Sequence, residues 1–309
     1  QLTSLARTCS GIGDAIPTVL TMTVVPILGA GSSMADYRIG FKWWALIIAV
    51  VFVISELVCV ACVPERPVAC DEKPGKISDM FKALFKNDQA MTVVVSIILV
   101  YTSLNICGNL VLYFFRFDVG NEGAYSIFAA VAFAAQVLVM MVIPLLRKRF
   151  SKSQLFISGF IIQIAGFAVI LIMAFAKLYT PQSWYILCLP GILIYLGYGM
   201  LNVIMTIFLS DSVDYGEVMN GTREESVIFS MQTFTVKLAS GVAVFLAGLV
   251  VDWIHLDTAA AVQTQDTLDA LRMWMTIPSV ILLIVGIFVF KRFYKLDDTR
   301  MEEIKSKLN

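Results

Sequence analysis

Long apolar runs alternate with short polar stretches along this sequence, and each run is about as long as a bilayer is thick. A helix rises about 1.5 Å per residue, so roughly 20 apolar residues cross a hydrocarbon layer of about 30 Å. Eight runs meet this length, at residues 8–29, 42–63, 91–115, 124–146, 155–177, 184–209, 226–250 and 273–291. The pattern predicts an all-α, polytopic membrane protein with eight transmembrane helices.

The lysines and arginines between these runs predict the orientation. About sixteen lie in the loops at 64–90 and 147–154, near Arg223 and after residue 290, whereas the opposite loops hold about five. Cytoplasmic loops carry the excess of Lys and Arg, so the first set is predicted to face the cytoplasm. Both ends of the chain, including the C-terminus, then lie inside the cell, and the protein is expected in the plasma membrane.

Two segments outside the spans have helical patterns of their own. In the loop 64–90, apolar residues recur at helical spacing among lysines, which predicts an amphipathic surface helix that links two bundles of spans. A calmodulin-binding segment would show a similar pattern. The tail 292–309 is mixed in charge and is predicted to form a solvated cytoplasmic helix.

Composition agrees with a membrane protein and excludes several other classes. Hydrophobic residues make up 59% of the chain, charged residues 15%, and the mean hydropathy is +0.82. The net charge is zero, which argues against a nucleic-acid partner. Cys59 and Cys62 lack a second pair or a nearby histidine, so no metal or cofactor site is predicted. The sequence has no nucleophile–base pair and no phosphate loop, and an enzyme is therefore not expected.

One lysine interrupts the seventh apolar run. Counted from Ser226, Lys237 lies about 17 Å into the helix, near the middle of a bilayer. A charge there costs about 3 kcal/mol on insertion scales, so this side chain is expected to face a polar cavity. The alternative is that Lys237 pairs with a buried carboxylate and only holds the helices together.

The neighbours of Lys237 divide its helix into two faces. Small residues spaced four apart, Ala239, Ala243 and Ala247, predict a face that packs closely on another helix. Polar residues at steps of three and four form a second face: Ser226, Ser230, Thr233, Lys237 and Ser240 with Gly241.

Two further runs carry stripes of aromatic and amide side chains. The third run has Tyr101, Asn105, Asn109 and Tyr113, and the sixth has Tyr195, Tyr198, Asn202 and Thr206. Rings can stack on the apolar face of a sugar while amides bind its hydroxyl groups. Hydrogen bonds between helices, worth about 1 kcal/mol each, would explain any single residue equally well. Three polar stripes in one bundle favour a solvated path for a sugar.

The charged block before the seventh run resembles a known family. The run from Asp211 through Asp214 to Glu217, then Arg223 with Glu225, then Gln232, Thr233 and Lys237, is similar to the glycoside–pentoside–hexuronide:cation symporters. These form the melibiose-permease-like branch of the major facilitator superfamily. Weaker matches are the segment 86–89, Tyr113-Phe-Phe and the basic loop 147–152.

The resemblance implies an architecture of twelve helices in two bundles of six. The eight runs would correspond to helices five to twelve, and an N-terminal portion would be missing before Gln1. Residues 1–63 would then hold the last two helices of the N-terminal bundle, 64–90 the cytoplasmic linker, 91–291 the C-terminal six-helix bundle and 292–309 the tail. The family's cation-binding carboxylates would lie in the missing helices, so no metal ligands are expected in this sequence.

The resemblance and the stripes together predict two groups of functional residues. The predicted substrate-binding residues are Lys237, Thr233, Gln232, Arg7, Asn202, Tyr198 and Asn105. A cytoplasmic charged network that closes the inner end is predicted from Asp211, Asp214, Glu217, Arg223 and Arg149. The roles of Asp14 and Glu56 stay open.

The predicted function is symport of a glycoside, pentoside or hexuronide with Na⁺ or H⁺ by alternating access. Its partners would be a small sugar and the lipid bilayer, while the oligomeric state, the sugar and the cation cannot be deduced from the sequence. One alternative is a lipid or amphiphile carrier of the same superfamily. Another is a sensor or scaffold that does not transport.

Overall fold

The computed structural model describes residues 2–30, 34–62, 85–221, 223, 225–258, 260 and 262–308. All regular structure in these residues is helical, as predicted. The helices are α1 (Leu2–Gly29), α2 (Met34–Cys62), α3 (Asp88–Tyr113), α4 (Ala124–Leu146), α5 (Lys152–Phe175), α6 (Cys188–Asn220), α7 (Glu225–Trp253), α8 (Gln265–Phe293) and α9 (Asp298–Leu308). A π-helical turn, Phe114–Val119, continues α3, and a 3₁₀ turn, Trp184–Leu187, precedes α6.

Seven helices of the described chain are long and apolar enough to cross a membrane. They are α2 to α8, with α3 extended by its π turn and α6 by its 3₁₀ turn. The predicted span at 8–29 lies within α1, which contains Pro17 and Pro26 and is not among these seven. The chain is therefore an all-helical, multi-pass membrane protein.

The helices form two units, one comprising Gln1–Ile12 with Ile77–Asn309 and the other Gly13–Lys76. The predicted amphipathic helix in the loop 64–90 falls almost wholly outside the described residues. In the smaller unit, α2 lies against the C-terminal part of α1, and the Trp44 indole donates to Thr21 Oγ1 at 2.8 Å. Between residues 41 and 62 every α2 side chain except that of Trp44 is exposed, which is typical of a helix that faces lipid or further helices.

In the larger unit, small residues allow the helices to approach closely. A Cβ atom on Gly197 of α6 would lie 2.5 Å from the carbonyl oxygen of Gly159 in α5, so only glycine fits there. Ala239, Ala243 and Ala247 of α7 are buried, and α7 packs on α3, which confirms the packing face predicted for α7.

The tail forms the predicted helix, α9, but one of its faces is buried. Leu296, Met301 and Ile304 pack together against Tyr215 and Val218 near the end of α6. The prediction of a solvated helix is therefore wrong for this apolar face, because three apolar side chains in a short charged segment are enough to dock it.

Candidate substrate site and charged clusters

A hydroxyl group on α6 joins side chains from three helices. The Thr206 hydroxyl oxygen accepts hydrogen bonds from Arg7 Nε of α1 at 3.0 Å and from Gln232 Nε2 of α7 at 3.4 Å. The hydroxyl donates to the carbonyl oxygen of Asn202, one turn earlier, at 3.1 Å. Two predicted substrate-binding residues, Arg7 and Gln232, are therefore brought together by Thr206, which is not among the predicted site residues.

A second group of polar side chains lies one turn away on α6. Asn202 Nδ2 donates to the hydroxyl oxygen of Tyr101 at 2.7 Å and to that of Tyr198 at 3.4 Å. The two tyrosine rings meet edge to face with centroids 5.5 Å apart. Asn202 is 7% exposed, and its Oδ1 has no hydrogen-bond partner among the described residues. A buried acceptor of this kind can take a proton donor from a ligand.

Helical spacing explains how α6 contributes to both groups. Tyr198, Asn202 and Thr206 recur every four residues, so they lie on one face of the helix. Tyr101 reaches this face from α3, which also packs on α6. We call these six residues the polar cluster: Arg7, Tyr101, Tyr198, Asn202, Thr206 and Gln232.

The remaining predicted substrate residues lie outside the polar cluster. The Asn105 amide donates to the carbonyl oxygen of Tyr101 in its own helix at 2.7 Å. Thr233 is exposed and donates to the carbonyl oxygen of Phe229 at 3.3 Å. Lys237 is also exposed, on the same face of α7 as Thr233, and among the described residues its ammonium group has no recorded partner.

Four predicted gating residues divide between two charged clusters near the end of α6. Arg223 binds Asp214 at 3.1 Å and Glu217 at 2.7 Å, and it also binds Glu225 at 3.1 Å. The Arg223 side chain is 47% exposed, so these ion pairs are accessible to water. The hydrogen bond that Arg223 donates to Glu217, together with those that it donates to the other two carboxylates, raises the pKa of Arg223, so it stays charged throughout the physiological range.

Asp211 belongs to a different and more buried cluster. Its carboxylate binds Lys152 at the start of α5, and both side chains are almost fully buried. Lys152 also binds Asp298 of α9 at 3.5 Å, and Arg147 binds the same carboxylate at 3.3 Å. Burial alone would raise the pKa of Asp298, but Arg147 and Lys152 outweigh it and hold that pKa below its ordinary value. The tail is thereby tied to the ends of α4 and α5.

Lys152 was not singled out by the sequence, although it lies in the basic loop 147–152. The predicted gating residue Arg149 is exposed and has no recorded ion pair among the described residues. A capping box explains the difference: Ser151 caps α5 and Gln154 binds back to the Ser151 backbone, so Lys152 opens the helix next to α6.

A third cluster lies at the opposite end of the same unit. Arg272 of α8 donates two hydrogen bonds, of 2.5 and 2.8 Å, to Asp118 of the π turn. It also donates one of 2.7 Å to Asp269. The Tyr179 hydroxyl donates to Asp118 at 2.5 Å. Burial and this hydrogen bond raise the pKa of Tyr179. We call Asp118, Tyr179, Asp269 and Arg272 the Arg272 cluster; the sequence placed Arg272 only among the loop cations and did not predict the cluster.

The roles of two acidic residues, Asp14 and Glu56, stay open. Glu56 is exposed on α2, and the Asp14 side chain lies outside the described residues. No group of three His, Cys, Asp or Glu side chains within the described ranges could hold a metal ion.

Comparison with known proteins gives one family match and several relatives. A family model described as MFS/sugar transport protein matches residues 1–298. The raffinose carrier protein of Pediococcus pentosaceus is 24% identical over 312 residues, which cover 99% of this chain and 47% of that protein. The isoprimeverose transporter of Lactiplantibacillus pentosus is 24% identical over 299 residues, 96% of this chain and 60% of that protein.

A third relative is the lactose permease of Lactobacillus delbrueckii subsp. bulgaricus. It is 23% identical over 316 residues, which cover all of this chain and 49% of that permease. The chain thus spans about half the length of the curated relatives that it matches.

Proposed function

Because the chain belongs to the MFS/sugar transport protein family, we propose that it forms the sugar-binding part of a secondary active transporter. The family consists of transporters, so the resemblance drawn from residues 211–237 and the prediction that the protein is not an enzyme are confirmed. We further propose that α1 to α8 correspond to helices five to twelve of a twelve-helix carrier in the plasma membrane, with a cytoplasmic C-terminus.

The observation that carries this proposal is the composition of the polar cluster. Arg7 and Gln232 supply N–H donors, and the buried Asn202 Oδ1 is an acceptor without a partner among the described residues. Tyr101 and Tyr198 add aromatic surface beside them. A sugar presents hydroxyl groups that both donate and accept, together with apolar C–H faces that pack on rings. Each feature of a sugar therefore has a counterpart in the cluster.

Alternating access requires contacts that form in one state and break in another. The Arg223 cluster suits this role, since exposed ion pairs are worth only about 0–1 kcal/mol each and can be exchanged. We propose that Asp214, Glu217 and Arg223 help to close the cytoplasmic end. The coupling cation would be Na⁺ or H⁺, as the resemblance implies.

The direct test is sugar uptake by the complete protein in membrane vesicles that lack other sugar carriers. We expect accumulation of labelled raffinose, lactose or isoprimeverose above equilibrium when an inward Na⁺ or H⁺ gradient is imposed, and loss of accumulation when an ionophore collapses it. No gradient-driven uptake of any panel sugar would refute the proposal. Uptake of a labelled lysolipid without uptake of sugar would favour an amphiphile carrier.

A further inference from the structure

We infer that Thr206 is the positioning residue of the polar cluster. Its hydroxyl oxygen holds Arg7 and Gln232 whenever no sugar oxygen accepts from them, and a sugar hydroxyl takes its place during transport. This inference rests on the proposed function and specifies how the same site works between two rounds of transport.

The first argument is hydrogen-bond capacity. A threonine hydroxyl has one proton to donate and two lone pairs to accept with. All three are used, since Thr206 accepts from Arg7 and Gln232 and donates to the carbonyl oxygen of Asn202. Thr206 therefore has no capacity left for a sugar while these bonds persist. A sugar that accepts from Arg7 Nε, which carries a single N–H, must displace the Thr206 oxygen, and so must one that accepts from the Gln232 N–H that now points at Thr206.

The second argument is that the Thr206 hydroxyl and the sugar hydroxyl that displaces it are chemically alike. A sugar hydroxyl has the same one donor and two acceptor sites as the hydroxyl that it displaces. The Gln232 contact, at 3.4 Å, is longer than the usual 2.7–3.2 Å of an N–H···O bond, so it is weak and easily exchanged. The Arg7 contact is short at 3.0 Å but engages only one of the five guanidinium N–H groups.

The third argument is the position of Thr206 between helices. It connects α1 with α6 and α7, and Arg7 lies 199 residues before it in the chain. Gln232 is 6% exposed, so its amide needs a partner within the protein when no sugar is bound. Without the Thr206 hydroxyl, a carrier that returns unloaded would have to move the buried Gln232 amide without this partner.

This assigns Thr206 to one step of the transport cycle. Net uptake requires the unloaded carrier to reorient, whereas exchange of internal for external sugar uses only loaded carriers. Loss of the hydroxyl should therefore slow net uptake and leave exchange almost unchanged. A purely structural role would affect both processes alike.

The experiment compares Thr206→Val, which keeps the shape and removes the hydroxyl, with Thr206→Ser, which keeps the hydroxyl. The complete protein in vesicles is assayed with the labelled panel sugar (raffinose, lactose or isoprimeverose) that the wild type accumulates, and rates are normalised to protein in the membrane. We expect Thr206→Val to reduce gradient-driven net uptake about tenfold and to keep exchange within about twofold of wild type, while Thr206→Ser resembles wild type in both.

Two results would overturn the inference: equal loss of net uptake and exchange in Thr206→Val, or no change in either rate. Failure of the proposed function would look different, because the wild type itself would then neither accumulate nor exchange any panel sugar.

Discussion

Lys237 is the residue that the sequence marked most clearly, and the structure places it on an exposed face of α7 beside Thr233. No carboxylate in the described part of the chain pairs with it, so the alternative of a bundle-holding ion pair gains no support from these residues. A lysine near the middle of a membrane helix is costly unless it faces a polar cavity. We interpret Lys237 as a cavity residue.

Replacement of Lys237 by alanine should abolish gradient-driven sugar accumulation while the protein still inserts, because the proposed cavity would lose its positive charge. The measurement is vesicle uptake normalised to membrane protein, with a loss of at least about tenfold expected. Lys148→Ala is the matched control, since Lys148 is also exposed and has no side-chain partner among the described residues but lies just past the end of α4. Normal accumulation by Lys237→Ala would contradict the assigned role.

Arg272 has a structural role that the sequence pattern did not indicate. Its side chain is 4% exposed and holds Asp118 with two hydrogen bonds. Removal of one partner from a buried ion pair leaves an uncompensated charge and typically costs about 3–5 kcal/mol. Arg272→Gln should therefore lower the thermal unfolding midpoint in detergent strongly.

Arg116→Gln is the control for that experiment, because the Arg116–Glu122 pair is exposed and 3.7 Å long. An exposed pair is worth only about 0–1 kcal/mol, so the control midpoint should hardly move. Equal shifts of the midpoint in the two variants would show that the Arg272 cluster stabilises the fold no more than a surface ion pair does.

The polar cluster shows what could be predicted at the scale of residues. Helical spacing put Asn202 and Thr206 on one face, and the family resemblance selected Arg7 and Gln232. That these side chains meet could not be predicted, because Arg7 and Thr206 are 199 residues apart and no local pattern encodes the contact. Lys152 was missed for a related reason: four cations lie in residues 147–152, and spacing alone does not say which one turns inward.

At the scale of elements, the length of the apolar runs predicted α2 to α8, because a run of about 20 apolar residues is nearly sufficient to define a membrane helix. The π turn Phe114–Val119 could not be predicted, since it depends on where Asp118 meets Arg272. The docking of α9 was likewise not predicted, because it rests on only three apolar side chains among many charges, Leu296 just before the helix and Met301 and Ile304 within it.

The contact between α5 and α6 depends on glycine. Gly197→Ala would place a Cβ atom 2.5 Å from the Gly159 carbonyl oxygen and 2.7 Å from the Gln163 backbone nitrogen, so the helices must separate. We expect a loss of about 1–3 kcal/mol, measured as a lower thermal midpoint. Gly248→Ala is the control, because nothing lies within 4 Å of its added Cβ and alanine favours the helix. An unchanged midpoint for Gly197→Ala would refute the tight contact.

At the scale of the whole molecule, the family match assigns the chain to the MFS/sugar transport protein family, and the chain covers about half the length of its curated relatives. The proposed transport cycle needs a closed inner end, for which the Arg223 cluster is the candidate. Its ion pairs could be predicted because the residues lie close in sequence, 214 to 225, and match the family signature.

Arg223→Ala should weaken closure of the cytoplasmic end, since three carboxylates lose their shared partner. A cysteine at the exposed Thr233, in a background where native cysteines are serine, should react faster with an impermeant thiol reagent supplied from the cytoplasm. Arg300→Ala is the control, because its ion pair with Glu303 is equally exposed but lies within α9. An unchanged rate in Arg223→Ala would remove Arg223 from the gate.

The central claim is that Arg7, Asn202 and Gln232 of the polar cluster bind the sugar, and a binding titration of Asn202→Leu tests it most directly. The control is Asn109→Leu, because among the described residues the Asn109 amide binds only the backbone of its own helix. With the panel sugar that the wild type accumulates, we expect the Kd to rise at least about tenfold for Asn202→Leu and to stay within about twofold for Asn109→Leu. A wild-type Kd in Asn202→Leu would contradict the claim and place the sugar elsewhere.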